Sequence, residues 1–296
     1  MTRKYTIINL KNKISNKILF ITNKFFYFLA HTRGAKHKVL LFISIIFKIP
    51  LIIFYFMQRV LLIIKNIHMN TKELNIFKEL NQYGYSYSDK IKISNNLLKK
   101  LNDSFYNKYQ DKVIDNKQLR FPIEYLPIDQ DLEKYICETI DNQLTSVISN
   151  YLFHMPYRKK VCYMYSRNTE TISNSSQYWH LDRTGPKTLK IFITLHQTNH
   201  SHGLLKFIDS KISKIIEVNY KYTKSGLLKR LSDEDIEKVI KDNNDFEIIN
   251  FEGEKGNVLC LDTEKCFHFG SRKATNRRLL ILIEYGSLLD YKLPRF

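Results

Sequence analysis

Residues 176–196 read SQYWHLDRTGPKTLKIFITLH. Two strand-like runs, SQYWHLD and TLKIFITLH, flank the turn-forming piece DRTGPK, where Gly185 and Pro186 interrupt any regular element. In the first run His180 and Asp182 stand two apart. Alternate side chains of an extended chain point to the same side, so an imidazole and a carboxylate share one face. The same texture continues outward: KKVCYMYS (159–166) before it, then GLLKFID (203–209), NVLCLD (257–262) and RRLLILIEY (277–285) after it. Each has strand length and β-forming side chains. One helix interrupts them at Ser232–Asp242, with an N-cap Ser, Asp235 three residues on and periodic Ile. Many short strands around one embedded helix make the class mainly β with flanking helices, a β-sandwich or jelly-roll barrel over residues 156–290.

Upstream, residues 71–155 read as helical support. Leu98, Leu101, Phe105 and Tyr109 recur at helical spacing after Ser94 or Asn95. Leu132, Ile136, Ile140, Leu144 and Val147 do so within 129–147, and the piece between, with Pro122 and Pro127, reads as loop.

The net charge of the 296 residues is +18, but its distribution is uneven. Residues 1–70 hold 12 Lys and Arg and no acid; the first acid is Glu73. The same segment carries apolar runs at 19–30 and 39–64, the second long enough for a spanning helix but interrupted by Lys48 and Pro50. Ser44, Lys48, Tyr55, Arg59 and Asn66 fall in a narrow polar stripe, the pattern of a helix lying in a membrane interface. A helix pair buried against the rest of the chain is the other reading. Basic residues interleaved with aliphatic runs argue against nucleic acid, which needs a solvated basic patch. The four cysteines form no CxxC pair, so zinc-ribbon and thioredoxin classes drop out, and free buried thiols of the cytoplasm are expected.

His180 and Asp182 lack one partner for a facial triad. His268, in CFHFG, lies 86 residues after Asp182. Two His and one carboxylate with three open positions is the usual arrangement for non-haem Fe(II) oxygenases. Arg278 opens the strand RLLILIEY, and a guanidinium holds a carboxylate in a two-bond fork. Its neighbour Arg277 would face the opposite way, and the strand's own pattern is clean for neither.

WHLD with TLKIFITL, then HGLLKFIDS, LDTEKCFHFGSR and RRLLILIEY, resembles the phytanoyl-CoA dioxygenase family of Fe(II)- and 2-oxoglutarate-dependent oxygenases over roughly residues 155–290. The resemblance implies a double-stranded β-helix, cupin-like, with His180, Asp182 and His268 binding iron and Arg278 holding the distal carboxylate of 2-oxoglutarate. Lys190 and Thr194 share a strand face and would line the cosubstrate pocket. Dioxygen and a small organic or lipid-like substrate would be the other partners, with succinate and carbon dioxide as co-products. Related halogenases lack the carboxylate ligand, so Asp182 favours hydroxylation. The basic apolar segment 1–70 has no counterpart in this resemblance; through residues 19–64 it suggests a membrane surface. The competing expectation is a non-catalytic barrel serving as a membrane-associated binding module. Trp179 reads as core packing, and His196, His200 and His202 as a solvated turn rather than a second metal site.

Overall fold

The computed structural model describes residues 69–88, 91–114, 123–152, 157–166, 177–182, 187–220, 222, 230–241 and 247–286. The apolar run 19–64, and with it the expected membrane surface, lies outside the described residues. Among the described residues, no helix is long and apolar enough to cross a membrane.

Among the described residues three helices come first: α1 (Thr71–Tyr83), α2 (Asn95–Ile114) and α3 (Gln130–Leu152), with the short strands β1 (Tyr85–Ser88) and β2 (Ile123–Leu126) between them. Asn70 starts α1 in a capping box, its side chain accepting from Glu73 N–H at 3.0 Å and Glu73 accepting from Asn70 N–H at 2.8 Å. Gly84 ends α1 at φ +80°, and a Cβ there would stand 2.6 Å from Cys266 Sγ, so glycine is required twice over. On α3, Ile136, Ile140, Leu144 and Val147 recur every three or four residues and are at most 1% exposed. Burial of each contributes roughly 1.5–3 kcal/mol.

The remaining order is β3 (Tyr157–Ser166), β4 (Thr188–Thr194), β5 (Leu205–Phe207), α4 (Ser210–Asn219), α5 (Asp233–Lys241), β6 (Ile249–Phe251), β7 (Val258–Leu261), β8 (His268–Phe269) and β9 (Arg278–Gly286). The major sheet runs β1-β7-β4-β9-β3-β2 and the minor one β6-β5-β8, every pairing antiparallel. The outer face of the major sheet, including Ile191, Ile193, Leu279, Ile281 and Ile283, packs on the helices. Its inner face, including Phe192, Leu259, Leu280 and Leu282, meets Leu205, Phe207 and Phe251 of the minor sheet. Helices α4 and α5 cover the far side of the minor sheet with Ile216, Ile236 and Val239 around Trp179 and Phe267. This is a double-stranded β-helix with helices outside it.

Three differences from the sequence reading have local causes. The presumed loop between α2 and α3 contains β2, an edge strand pairing with β3, where flanking prolines are tolerated. The run SQYWHLD is not a continuous strand; it holds two isolated bridges, Trp179 to Leu231 and His180 to His268. Two helices rather than one interrupt the strands. The additional one, α4, is capped by Asp209, whose carboxylate accepts from Lys211 N–H and Ile212 N–H. The embedded helix α5 starts as expected: Asp235 N–H donates to Ser232 Oγ at 3.2 Å and Ser232 N–H to Asp235 at 3.0 Å.

Candidate metal centre

The three expected ligands converge. His180 and His268 form a reciprocal backbone pair, N–H to carbonyl at 3.1 and 3.0 Å, which ties the 177–182 segment to β8. Asp182 N–H donates to Thr263 carbonyl at 2.8 Å, so the residue two beyond His180 returns to the same side. The His180 Nδ1 lies 2.8 Å from Tyr178 carbonyl and the His268 Nδ1 3.0 Å from Cys266 carbonyl. A carbonyl only accepts, so both Nδ1 atoms carry the proton and both Nε2 lone pairs are free. Those Nε2 atoms stand 3.8 and 3.7 Å from the Asp182 carboxylate oxygens, and one ligand atom from each residue lies within 4.8 Å of the others. Donors each about 2.1 Å from a common ion fall about 3–4 Å apart, so the set fits a divalent metal on one face. Among the described residues this is the one such cluster.

The electrostatics suit a cation. Burial, with His268 close by, lowers the His180 pKa to about 3. Burial likewise lowers that of His268. Both rings are therefore neutral donors at neutral pH. Burial works against the Asp182 carboxylate, but Lys190, together with His268 and His180, outweighs it and holds the group well below the usual carboxylate range. The Lys190 ammonium lies 2.5 Å from Asp182 Oδ2. It remains protonated despite its own burial because Asp182 and Glu284 face it.

Of the two candidate arginines, Arg278 is 0% exposed and faces the interior, while Arg277 is half-buried. The alternation that assigns this is set by pairing: Ser166 opposes Arg278, and Leu280 and Leu282 continue the inner face. Arg278 Nη1 donates to Gly203 carbonyl at 2.5 Å and Nη2 to Ser166 Oγ at 3.3 Å. Its Nε is buried without a hydrogen-bond partner. Among the described residues no carboxylate lies within 4 Å of it. Burial lowers its pKa to about 10. A buried fork with an orphan donor and no counter-ion fits a carboxylate-bearing ligand.

Lys190 and Thr194 do share the inner face of β4, but their polar atoms are engaged. Lys190 holds Asp182, and the Thr194 hydroxyl donates to Glu254 carbonyl at 2.6 Å while accepting from Asn257 N–H at 2.9 Å. Trp179 is core: it packs edge-on against Phe269 at 4.6 Å, and its indole N–H donates to Asp233 at 2.8 Å. His196 accepts from Leu279 N–H at 2.9 Å, and His202 pairs with Asn199 at 2.8 Å, so these histidines brace a turn. All four cysteines are free and buried. The sequence reading missed the supports. The carbonyls of Tyr178, Cys266 and Gly203 carry no side-chain signal, and Ser166 is one serine among many. Also unforeseen is Tyr125, half-exposed on the inner face of β2, with the Lys160 ammonium 3.3 Å from its ring centroid.

No protein-family model matches the sequence, and no curated protein matches it. Solved structures do. EctD from S. alaskensis with 2-oxoglutarate and 5-hydroxyectoine is similar at a TM-score of 0.51 and 14% identity, over 74% of this chain and 76% of that one. The same protein with bound Fe gives 0.50 and 13%, over 74% and 77%. SnoK, a non-heme alpha-ketoglutarate-dependent carbocyclase from nogalamycin biosynthesis, gives 0.50 and 10%, over 74% and 84%. At these identities the likeness establishes the fold, the double-stranded β-helix.

Proposed function

We propose that this chain is an Fe(II)- and 2-oxoglutarate-dependent dioxygenase that hydroxylates a small organic or lipid-like substrate. The observation that carries the reading is the His180–Asp182–His268 set, both histidines buried, Asp182 half-buried and both Nε2 atoms free, in a barrel that also buries Arg278 with no counter-ion among the described residues. The likeness in fold to structures named for Fe and 2-oxoglutarate adds to it, as does the motif resemblance to the phytanoyl-CoA dioxygenase family.

In this reading His180, Asp182 and His268 would hold iron. Arg278 takes the distal carboxylate of 2-oxoglutarate in a fork, completing its hydrogen bonding. Iron and 2-oxoglutarate supply the oxidative chemistry, using dioxygen and giving succinate and carbon dioxide. The chain's own work is to bind and orient. The backbone rung ties the two histidine segments together, and the Nδ1 bonds to the Tyr178 and Cys266 carbonyls fix the angle of their rings. Lys190 keeps Asp182 ionised. The apolar inner residues Phe192, Leu280 and Leu282 exclude water. Glu284 and Tyr125 face the same interior. Asp182 supplies the carboxylate ligand that leaves no place for halide, which favours hydroxylation.

We place the domain at residues 71–296 and the enzyme in the cytoplasm. The acid-free apolar segment 19–64 supports a membrane-surface location and the lipid-like end of the substrate range. The deciding experiment measures succinate released from 2-oxoglutarate with Fe(II) and dioxygen, with membrane lipid extract among the trial substrates. Turnover is expected in the wild type and absent in Asp182→Ala. Equal turnover in that variant refutes the assignment. Absence of metal and 2-oxoglutarate binding in the wild type would leave a non-catalytic barrel.

A further inference from the structure

The turn between β7 and β8 touches two of the three ligands. Thr263 carbonyl accepts Asp182 N–H at 2.8 Å, and Cys266 carbonyl accepts His268 Nδ1–H at 3.0 Å. The shape of this turn is set by Asp262. Its carbonyl accepts from Lys265 N–H at 3.1 Å and Cys266 N–H at 3.0 Å, and its N–H donates to Gly84 carbonyl at 2.8 Å. Its Oδ1 accepts from Glu264 N–H at 3.1 Å. Its Oδ2 accepts from the Tyr151 hydroxyl of α3 at 2.5 Å. The Lys265 ammonium closes the cluster, 3.2 Å from Tyr151 Oη and 3.7 Å from Asp262 Oδ2. Asp262 and Tyr151 are both 0% exposed. A carboxylate taken fully out of water is expensive, and an apolar side chain would pack as well. What the carboxylate adds is direction, because it anchors one end of the turn to a helix in the outer layer.

We infer that Asp262, held by Tyr151, is a positioning residue for the metal centre: it fixes the two carbonyls that orient Asp182 and His268. The inference rests on the iron reading and goes beyond it, since it makes the ligand geometry depend on a contact with α3. Partners that orient metal ligands typically change metal affinity by about 10- to 100-fold when removed.

The test uses the full chain and Co(II) as a spectroscopic stand-in for Fe(II), titrated anaerobically, with thermal unfolding of each variant in parallel. Asp262→Ala should raise the Co(II) dissociation constant by about tenfold or more and alter the visible bands of the bound ion. Tyr151→Phe removes only the strap and should give a smaller rise in the same direction. Asp262→Asn keeps an acceptor for Glu264 N–H and should recover part of the loss seen with alanine. Tyr163→Phe is the control. Its hydroxyl donates to Leu101 carbonyl at 2.8 Å on the other face of the sheet, so it should lower the unfolding temperature without moving the Co(II) constant or spectrum. If Tyr151→Phe and a folded Asp262→Ala bind Co(II) within about twofold of the wild type with unchanged bands, the inference is overturned. Should Asp262→Ala not fold, Tyr151→Phe decides by the same criterion. A wild type that binds no Co(II) overturns the metal centre itself and this inference with it, whereas a binding wild type matched by its variants overturns this inference alone.

Discussion

Replacing Arg278 by methionine isolates what a buried cation without a counter-ion does. Burial lowers its pKa from the ordinary arginine value to about 10, which corresponds to a penalty on the charged form of about 3 kcal/mol. Because the folded-state pKa is depressed for a cation, the penalty is fully present below pH 10 and relieved only above it. At neutral pH the protein therefore carries all of it. Against this stand the bonds to Gly203 carbonyl and Ser166 Oγ, each worth about 1 kcal/mol, plus the desolvation of the carbonyl left behind. The two sides nearly cancel. Arg278→Met should thus change the stability of the ligand-free protein by no more than about 1 kcal/mol, or about 4 °C. This contrasts with the loss expected when an equally buried aliphatic side chain is cut back. With a carboxylate in the fork the balance changes. Saturating 2-oxoglutarate at a hundredfold its dissociation constant should stabilise the Co(II)-loaded wild type by about 2.7 kcal/mol, and the variant hardly at all. Thermal unfolding with and without 2-oxoglutarate reads both quantities. A variant that keeps the 2-oxoglutarate response, or that loses about 3 kcal/mol without any ligand, refutes the reasoning.

Lys190→Met leaves the half-buried Asp182 carboxylate without its cation, and should destabilise the metal-free protein by about 3 kcal/mol in urea unfolding; saturating Co(II) should return most of that, and an unchanged midpoint would count against the pairing. His180, with its pKa lowered to about 3, stays neutral in the fold while the unfolded chain protonates near 6.5. Its contribution is therefore present above 6.5 and lost as pH falls toward 3. The unfolding free energy should decline across that window, and less steeply in His180→Gln. Leu144→Ala, at a side chain 0% exposed between α3 and the sheet, should cost about 3 kcal/mol at an unchanged urea slope.

The parts of the fold that the sequence showed are those whose pattern is long. Helices α2 and α3 repeat an apolar face over several turns, and β3, β4 and β9 are runs of seven to ten β-formers. The parts it hid are short or context-made. β8 has two residues, and β6 and β5 have three; at that length period-two alternation has nothing to repeat. In β9 every residue is buried, because one face meets helices and the other the barrel. Alternation there could not separate Arg277 from Arg278, and the distinction came from pairing with Ser166. For the site, the spacing of His180 and Asp182 was local and readable. His268 was reached through the motif order of the family it resembles and not through local spacing; the backbone rung that joins it to His180 links distant segments and has no local signal. Thr194 shows the converse: its face was read correctly, yet its hydroxyl closes the 254–257 turn.

That backbone rung has a kinetic meaning. His180 and His268 exchange their N–H groups with each other's carbonyls, so the amides that lock the minor sheet belong to the residues whose side chains would hold the ion. A bound dication then acts as a clasp across the seam, because opening the rung requires releasing the ion. Amide exchange at these two positions should slow with metal by the same factor that unfolding does. With metal bound, the rung would then open only when the whole barrel does.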